Sequence, residues 1–330
     1  MSTVPLRTAM VPITRRMRAF FAPVERETET PTIFDPGQSG GFALDSPPAP
    51  WVDLGWIENF GRGYETATTA VRSGAKALPV AQFRGALEAR VEFDFCEWGK
   101  LQMALAGGSE HMNVLAPANG GTSPAPSGGT PAPGVAVLPG STASELVIGQ
   151  GAVDSFAAGN LVAVDEDYRQ QKGYVGWGIA AAYVRDPVLV RRDANYVRRV
   201  TFNVARVAQK TATSLLLAQP LLGGVPAQGA SVQRVIGFVD REGGSFFQEW
   251  SALFVAEEES GGRACFYYPR LSASQAAGKG VREQLAAIAK PLATVSLRAS
   301  FTALPYVDAN DGQPVLCYRS YFPAASAATY

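Results

Sequence analysis

The sequence predicts a mainly β protein of the α+β class, with a second, small all-β domain inserted into the first. Three observations carry that expectation. Ala89-Arg-Val-Glu-Phe-Asp-Phe95 alternates strictly, with Val91, Phe93 and Phe95 on one side and Arg90, Glu92 and Asp94 on the other, the pattern of a half-buried strand. A string of short strand candidates follows at 144–149, 160–165, 173–184, 198–208, 212–218 and 231–238, separated by turn signals such as Ala-Gly-Asn and Gly-Gly-Val-Pro. The 330 residues include 34 Gly and 23 Pro, well above the ordinary combined usage of roughly 12%, so turns are many.

Taken along the chain, residues 1–50 read as an extended N-terminal arm. Arg7, Arg15, Arg16 and Arg18 stand with Phe20 and Phe21, and Pro5 and Pro12 interrupt the helix that a transit peptide would need. No apolar stretch has the form of a secretory signal, and no apolar run approaches the ~18 residues of a membrane-spanning helix. Residues 28–50, rich in Pro, Gly, Thr and Ser, read as a tether. Ordered structure is expected from Trp51, where Trp-Val-Asp-Leu-Gly-Trp-Ile-Glu-Asn-Phe (51–60) suits a strand. Residues 61–79 read as a long loop rich in Gly, Thr and Ala, carrying Arg62, Arg72 and Lys76. Loops of that length inside a compact domain are usually functional or disordered.

After the alternating strand, Trp98, Leu101, Gln102 and Leu105 fall on one face of a short helix that Gly107-Gly108 ends. A low-complexity Pro/Gly/Ser-rich linker occupies 117–139, and 140–235 reads as an inserted β-barrel or sandwich domain. The segments 51–116 and 236–330 then form one discontinuous domain. In the last third, Trp250–Glu257 and Arg263–Tyr268 read as a hairpin around the polar turn Glu257-Glu258-Glu259-Ser260-Gly261-Gly262. Val281, Leu285, Ile288 and Leu292 form a helical stripe, and 292–303 alternates as a strand. Asp311-Gly312 marks a turn before a terminal strand at 315–322.

Chemistry-bearing motifs are sparse. The formal net charge is zero, and nothing in that balance supports tight binding to DNA or to a membrane surface. The single histidine, His111, cannot form a multi-histidine metal site and reads as a surface or capping residue. Cys96, Cys265 and Cys317 are far apart, show no metal spacing, and read as buried, inert thiols of a reducing cytoplasm. Gly173-Tyr-Val-Gly-Trp-Gly178 does not match a dinucleotide fingerprint, and no Walker A, GxSxG or HExxH motif occurs. Asp165-Glu166-Asp167 and Glu257-Glu258-Glu259 read as solvated turns rather than cation cages. Phe266-Tyr267-Tyr268 reads as aromatic core or subunit contact. No catalytic residue, metal or cofactor is expected, and the chain does not read as an enzyme.

The run Trp51–Phe60, then Val91-Glu-Phe-Asp-Phe with Trp98-Gly-Lys-Leu-Gln-Met-Ala-Leu-Ala and Gly108-Ser-Glu-His-Met-Asn-Val-Leu115, resembles the tail tube proteins of tailed bacteriophages. The Asp311-Gly312 turn with Pro314-Val-Leu-Cys-Tyr318 resembles that family's ending. The likeness covers roughly 51–115 and 236–322, and rests on the order and texture of elements. It implies a β-sandwich flanked by a helix and assembled as stacked rings, usually hexameric, whose lumen conducts DNA. It implies partners that are copies of the chain, other tail proteins and a possible sheath. It implies a location in the virion tail after synthesis in the host cytoplasm. It also implies that the loop at 61–79 reaches a neighbouring ring, where Arg62, Arg72 and Lys76 would meet acidic groups such as Glu257, Glu258 and Glu259. Two other readings stand beside it. One is another virion structural protein, of a baseplate, tail terminator or capsid decoration. The other is a β-rich hydrolase or binding module working through carboxylates.

Overall fold

A computed structural model describes residues 17–25, 28–35, 42–45, 47–48, 50–73, 78–97, 99–107, 110–118, 132–165, 173–175, 179–182, 203–221, 224–227, 229–241, 249–257, 261–274 and 297–322. In chain order its elements are β1 (Met17–Pro23), β2 (Val52–Ser73), β3 (Leu78–Phe95), α1 (Lys100–Gly107) and β4 (Glu110–Leu115). Next come β5 (Val135–Ala136), β6 (Glu145–Val147), β7 (Leu161–Asp165), β8 (Gly173–Val175), β9 (Ile179–Ala182), β10 (Val204–Lys210), β11 (Ser214–Leu217) and β12 (Ser231–Arg241). The chain continues through β13 (Glu249–Glu257), β14 (Arg263–Ala273), β15 (Leu297–Ala303), β16 (Tyr306–Val307), β17 (Pro314–Val315) and β18 (Tyr318–Phe322).

The protein is mostly β, as its alternating segments predict. Its first sheet runs β13-β1-β2-β3-β15-β14, and β14 then pairs with β13 again. The sheet therefore closes into a barrel of six antiparallel strands, where the family likeness implied a sandwich. Closure depends on β14 having two edges in use. One edge pairs with β13 along Glu249↔Ser272 to Glu257↔Arg263. The other carries β15 at Leu271–Ala273 and β18 at Arg263–Tyr267. A closed sheet leaves few unpaired backbone groups, which removes the edge problem of an open one.

The alternation of 89–95 is realised as expected: Val91, Phe93 and Phe95 are buried in the barrel interior. They meet Phe21, Phe254 and Phe301. Phe93 stacks on Phe301 at 5.7 Å with a 12° interplanar angle, and meets Phe254 edge-on at 5.3 Å. Phe21 contacts Phe93, Trp250, Phe254 and Phe301. Edge-to-face and offset pairs of this kind add to the stabilisation from area burial. Leu101 and Leu105 of α1 pack on the same core. The Gln102 side-chain amide donates to the Leu54 carbonyl at 3.2 Å.

Part of the expected N-terminal arm is in fact barrel wall. β1 pairs with β13 from Met17↔Ala256 to Pro23↔Trp250 and with β2 on its other edge. Ala19 and Phe21 point inward, while Phe20 and Ala22 are equally buried on the outer side. They are covered there because Phe34 and Leu44 of the expected tether, with Trp51 just after it, pack back over β13 and β14. Two arginines fasten this strap. Arg18 donates to Asp53 (2.5 Å) and Asp45 (2.7 Å), and Arg270 donates to Glu249 (2.8 Å) and Glu29 (2.7 Å).

The second sheet runs β6-β11-β10-β7-β12-β4-β9-β8, with β5 also on β12. Its own core joins Leu146, Ile148, Val153, Phe156, Val162, Val164, Val207, Leu215, Leu217 and Val232. Its strands match the expected 144–149, 160–165, 212–218 and 231–238 closely. Its boundaries differ from 140–235, because β4 and all of β12 belong to it: Val235↔Leu115 through Arg241↔Glu110 pair in register. The expected helix at 281–292 and most of the linker lie outside the described residues. Among the described residues no helix is long and apolar enough to cross a membrane.

Replacing Phe21 with Ala should lower the unfolding free energy by about 3–5 kcal/mol, since it deletes a fully buried ring from a close-packed cluster. Chemical denaturation measures this, and a loss below about 1 kcal/mol would mean that β1 is not part of the barrel core.

Candidate functional site

The outer part of the β2–β3 hairpin runs beyond the barrel wall. Near the barrel, β2 pairs with β1 only through Ile57, and β3 pairs with β15 only through Ala89. Beyond Tyr64↔Ala89 the two strands pair with one another, through Glu65↔Glu88 and Thr66↔Leu87 out to Ser73↔Leu78. Among the described residues neither outer edge of this ribbon has a strand beside it. At about 3.3 Å per residue, Glu65 to Ser73 reaches roughly 30 Å from the barrel.

Two irregularities aim the ribbon. Gly55 sits at φ 80 in a bulge opposite Arg18–Phe20, a left-handed backbone that favours glycine. Asn59 takes φ 54 where the β2–β3 register shifts between Glu58 and Gly61. Its side chain donates to Asp94 at 2.6 Å, which supports a left-handed residue that Asn tolerates better than most. Bulges bend a strand and sharpen its twist, and both lie just before the ribbon leaves the barrel.

The root is clamped by Arg62. Its guanidinium lies 4.8 Å from the Phe266 ring centroid, 5.2 Å from Tyr64 and 5.6 Å from Tyr268. It donates to the hydroxyls of Tyr268 and Tyr64. Burial, opposed by this arginine, holds the Tyr268 hydroxyl un-ionised far above the usual tyrosine range. Outward of the clamp the surface changes character. Tyr64 and Leu87 are 48% and 49% exposed. Nothing approaches within 4 Å of where a Gly63 side chain would begin. Glu65 and Glu88 face one another across the strands, an arrangement that costs energy in water unless a cation joins it.

Of the six residues expected to contact a neighbour, three lie among the described residues, Arg62 and Arg72 on β2 and Glu257 on β13. Arg62 is engaged within its own subunit, because three aromatic rings and two hydroxyls satisfy its fork. Arg72 lies on the distal part of β2, opposite Pro79. Glu257 pairs with Arg263 of its own hairpin at 3.0 Å. Lys76, Glu258 and Glu259 lie outside the described residues. The segment 61–79, expected as a loop, is strand through Ser73 and again from Leu78. Of the cysteines, Cys265 is buried, with its thiol pushed up to about 11 by burial, and Cys317 is half-buried. Cys96 is exposed, against the expectation for it. Sequence reasoning missed the Arg62–Tyr268 clamp and the Asn59 bulge. The only local signal was Asn59-Phe60-Gly61 interrupting a strand pattern.

Among the described residues no group of three or more His, Cys, Asp or Glu side chains could hold a metal ion. Among the described residues the ribbon presents open backbone edges, the exposed side chains of Tyr64 and Leu87, and the facing carboxylates of Glu65 and Glu88. No protein-family model matches the chain, and no curated protein matches it.

Arg62→Ala should destabilise the isolated subunit by about 1–3 kcal/mol, because it strips the buried Tyr268 hydroxyl of a charged donor. Denaturant unfolding reads this directly. Unchanged subunit stability with lost self-association would instead assign Arg62 to an intersubunit contact.

Proposed function

We propose that the chain is a structural subunit of a bacteriophage tail tube, assembling with copies of itself into stacked rings around a DNA-conducting lumen. The observation that carries this reading is the projecting ribbon on a closed barrel. A two-stranded ribbon is marginally stable alone in water, and open edges invite further strands. This ribbon is nevertheless built deliberately, with two bulges and an arginine clamp at its root. A part of that kind acquires its partner on assembly. The tail tube resemblance of the sequence supplies the partner's identity, a second copy in the same or the adjacent ring. Such head-to-tail contacts close into rings and repeat into filaments.

The rest of the molecule is compatible with that role. The barrel is filled by aromatic side chains and offers no lumen of its own, so the channel is the space that a ring of barrels encloses. A formal net charge of zero suits a conduit that must let DNA pass, since phosphate neutralisation by many cations would hold it. In this reading the chain works by mechanical assembly and has no enzymatic step. The second sheet adds mass that lies outside the channel.

Negative-stain microscopy of the purified protein tests the reading, with rings or tubes bearing a central channel expected. A second variant separates folding from assembly. Thr66 and Leu87 face each other in register, so replacing 67–86 with Asn-Gly closes a two-residue turn without disturbing the root. The shortened subunit should keep its thermal transition within a few degrees and lose the stacking of rings. Tubes of normal length from that variant would overturn the role given to the ribbon, and a protein that stays monomeric at high concentration would overturn the tail tube reading.

A further inference from the structure

α1 and β4 bring together two groups that the assembly reading does not use. Lys100, at the first position of α1, donates from Nζ to Oδ1 of Asn113 on β4 at 2.6 Å. Asn113 is 2% exposed, and its backbone is held from both sides, by Phe238 of β12 and by Ala182 of β9. The Asn113 side of the pair is therefore held in place by two neighbouring strands. A carbonyl bond measures about 1.23 Å, which puts the amide carbon of Asn113 within roughly 3–4 Å of the lysine nitrogen, near the 3–3.5 Å of a near-attack arrangement. Attack on carbon needs the lysine nitrogen over the face of the amide, which a rotation of the amide about its own side-chain bond provides.

We propose that Lys100 and Asn113 form an intramolecular isopeptide bond, which ties α1 to β4. The lysine amine attacks the Asn113 amide carbon. The new C–N bond forms, the tetrahedral centre collapses, and the old C–N bond breaks. The proton from the attacking nitrogen moves to the departing nitrogen, which leaves as ammonia. One amine and one primary amide become one secondary amide and ammonia, with no oxidant, metal or co-reactant. Desolvation at this half-buried site supplies the reactive form: it lowers the Lys100 ammonium to about 7, so a large share is uncharged amine at neutral pH, where an exposed lysine is almost wholly protonated. Fixed geometry supplies the effective concentration that makes an amide, ordinarily inert to amines, a partner. The product closes a covalent ring over residues 100–113. A subunit under mechanical load, or one that must persist outside a cell, gains from such a tie.

Intact-mass spectrometry of the denatured full chain tests the proposal. The wild-type mass should fall short of the sequence mass by one ammonia, and peptide mapping should give a branched peptide joining Lys100 to Asn113. Lys100→Arg and Asn113→Ala should each restore the full mass. In freshly refolded protein the deficit should grow faster as pH rises and level off above about pH 7–8, following the amine fraction. The wild-type chain keeping its full mass after days folded at pH 8–9 would overturn the inference and leave the pair as a hydrogen bond. So would a deficit that persists in both variants. Neither result depends on whether rings assemble.

Discussion

Closure of the six-stranded barrel is the constraint from which the rest of the structure follows. It is achieved at β14, which pairs with β13 on one side and with β15 and β18 on the other. Around that seam Phe21, Phe93, Phe254 and Phe301 fill the interior. Their burial is dominated by the hydrophobic effect, and their ring geometry fixes which strands can be neighbours. Once the barrel is closed, β2 and β3 have nowhere to continue but outward. The ribbon is thus a consequence of closure combined with strands that are longer than the wall they build.

The same closure explains the strap. β13 is buried along nearly its whole length on both faces, with Leu253 and Val255 facing away from the interior. An apolar outer face on a barrel must be covered, and Phe34, Leu44 and Trp51 cover it. The ion pairs of Arg18 and Arg270 hold the strap in register rather than drive its docking, because partly exposed pairs contribute little on their own.

How much of this was legible in the sequence depended on whether a segment is buried on one face, two or none. The strand 89–95 has one buried face, so its alternation announced it. The β13–β14 hairpin was legible as two apolar runs around a polar turn. β1 was not, because Ala19 and Phe21 face the core while Phe20 and Ala22 face the strap. Its period vanished, and the neighbouring prolines and arginines gave it the look of an arm. The ribbon failed for the opposite reason: its residues Tyr64, Glu65, Thr66, Leu87 and Glu88 are exposed, and a segment without a buried face shows no hydrophobic period. Its β-branched residues, Thr66, Thr68, Thr69 and Val71, were the available strand signal. Of the candidate site, the location at 61–79 was legible and its form was not. Charge alone did not reveal that Arg62 engages Phe266 and Tyr268 of its own subunit.

The account therefore rests on one claim, that a second copy of the chain completes the ribbon. Backbone hydrogen exchange along Glu65–Ser73 and Leu78–Glu88, compared between dispersed subunits and assembled particles, measures it directly. An open two-stranded ribbon exchanges its edge amides quickly, and pairing with another subunit slows them. Marked protection of those amides on assembly, with the barrel strands protected in both states, is the predicted result. Equally fast exchange in the assembled particle would contradict it.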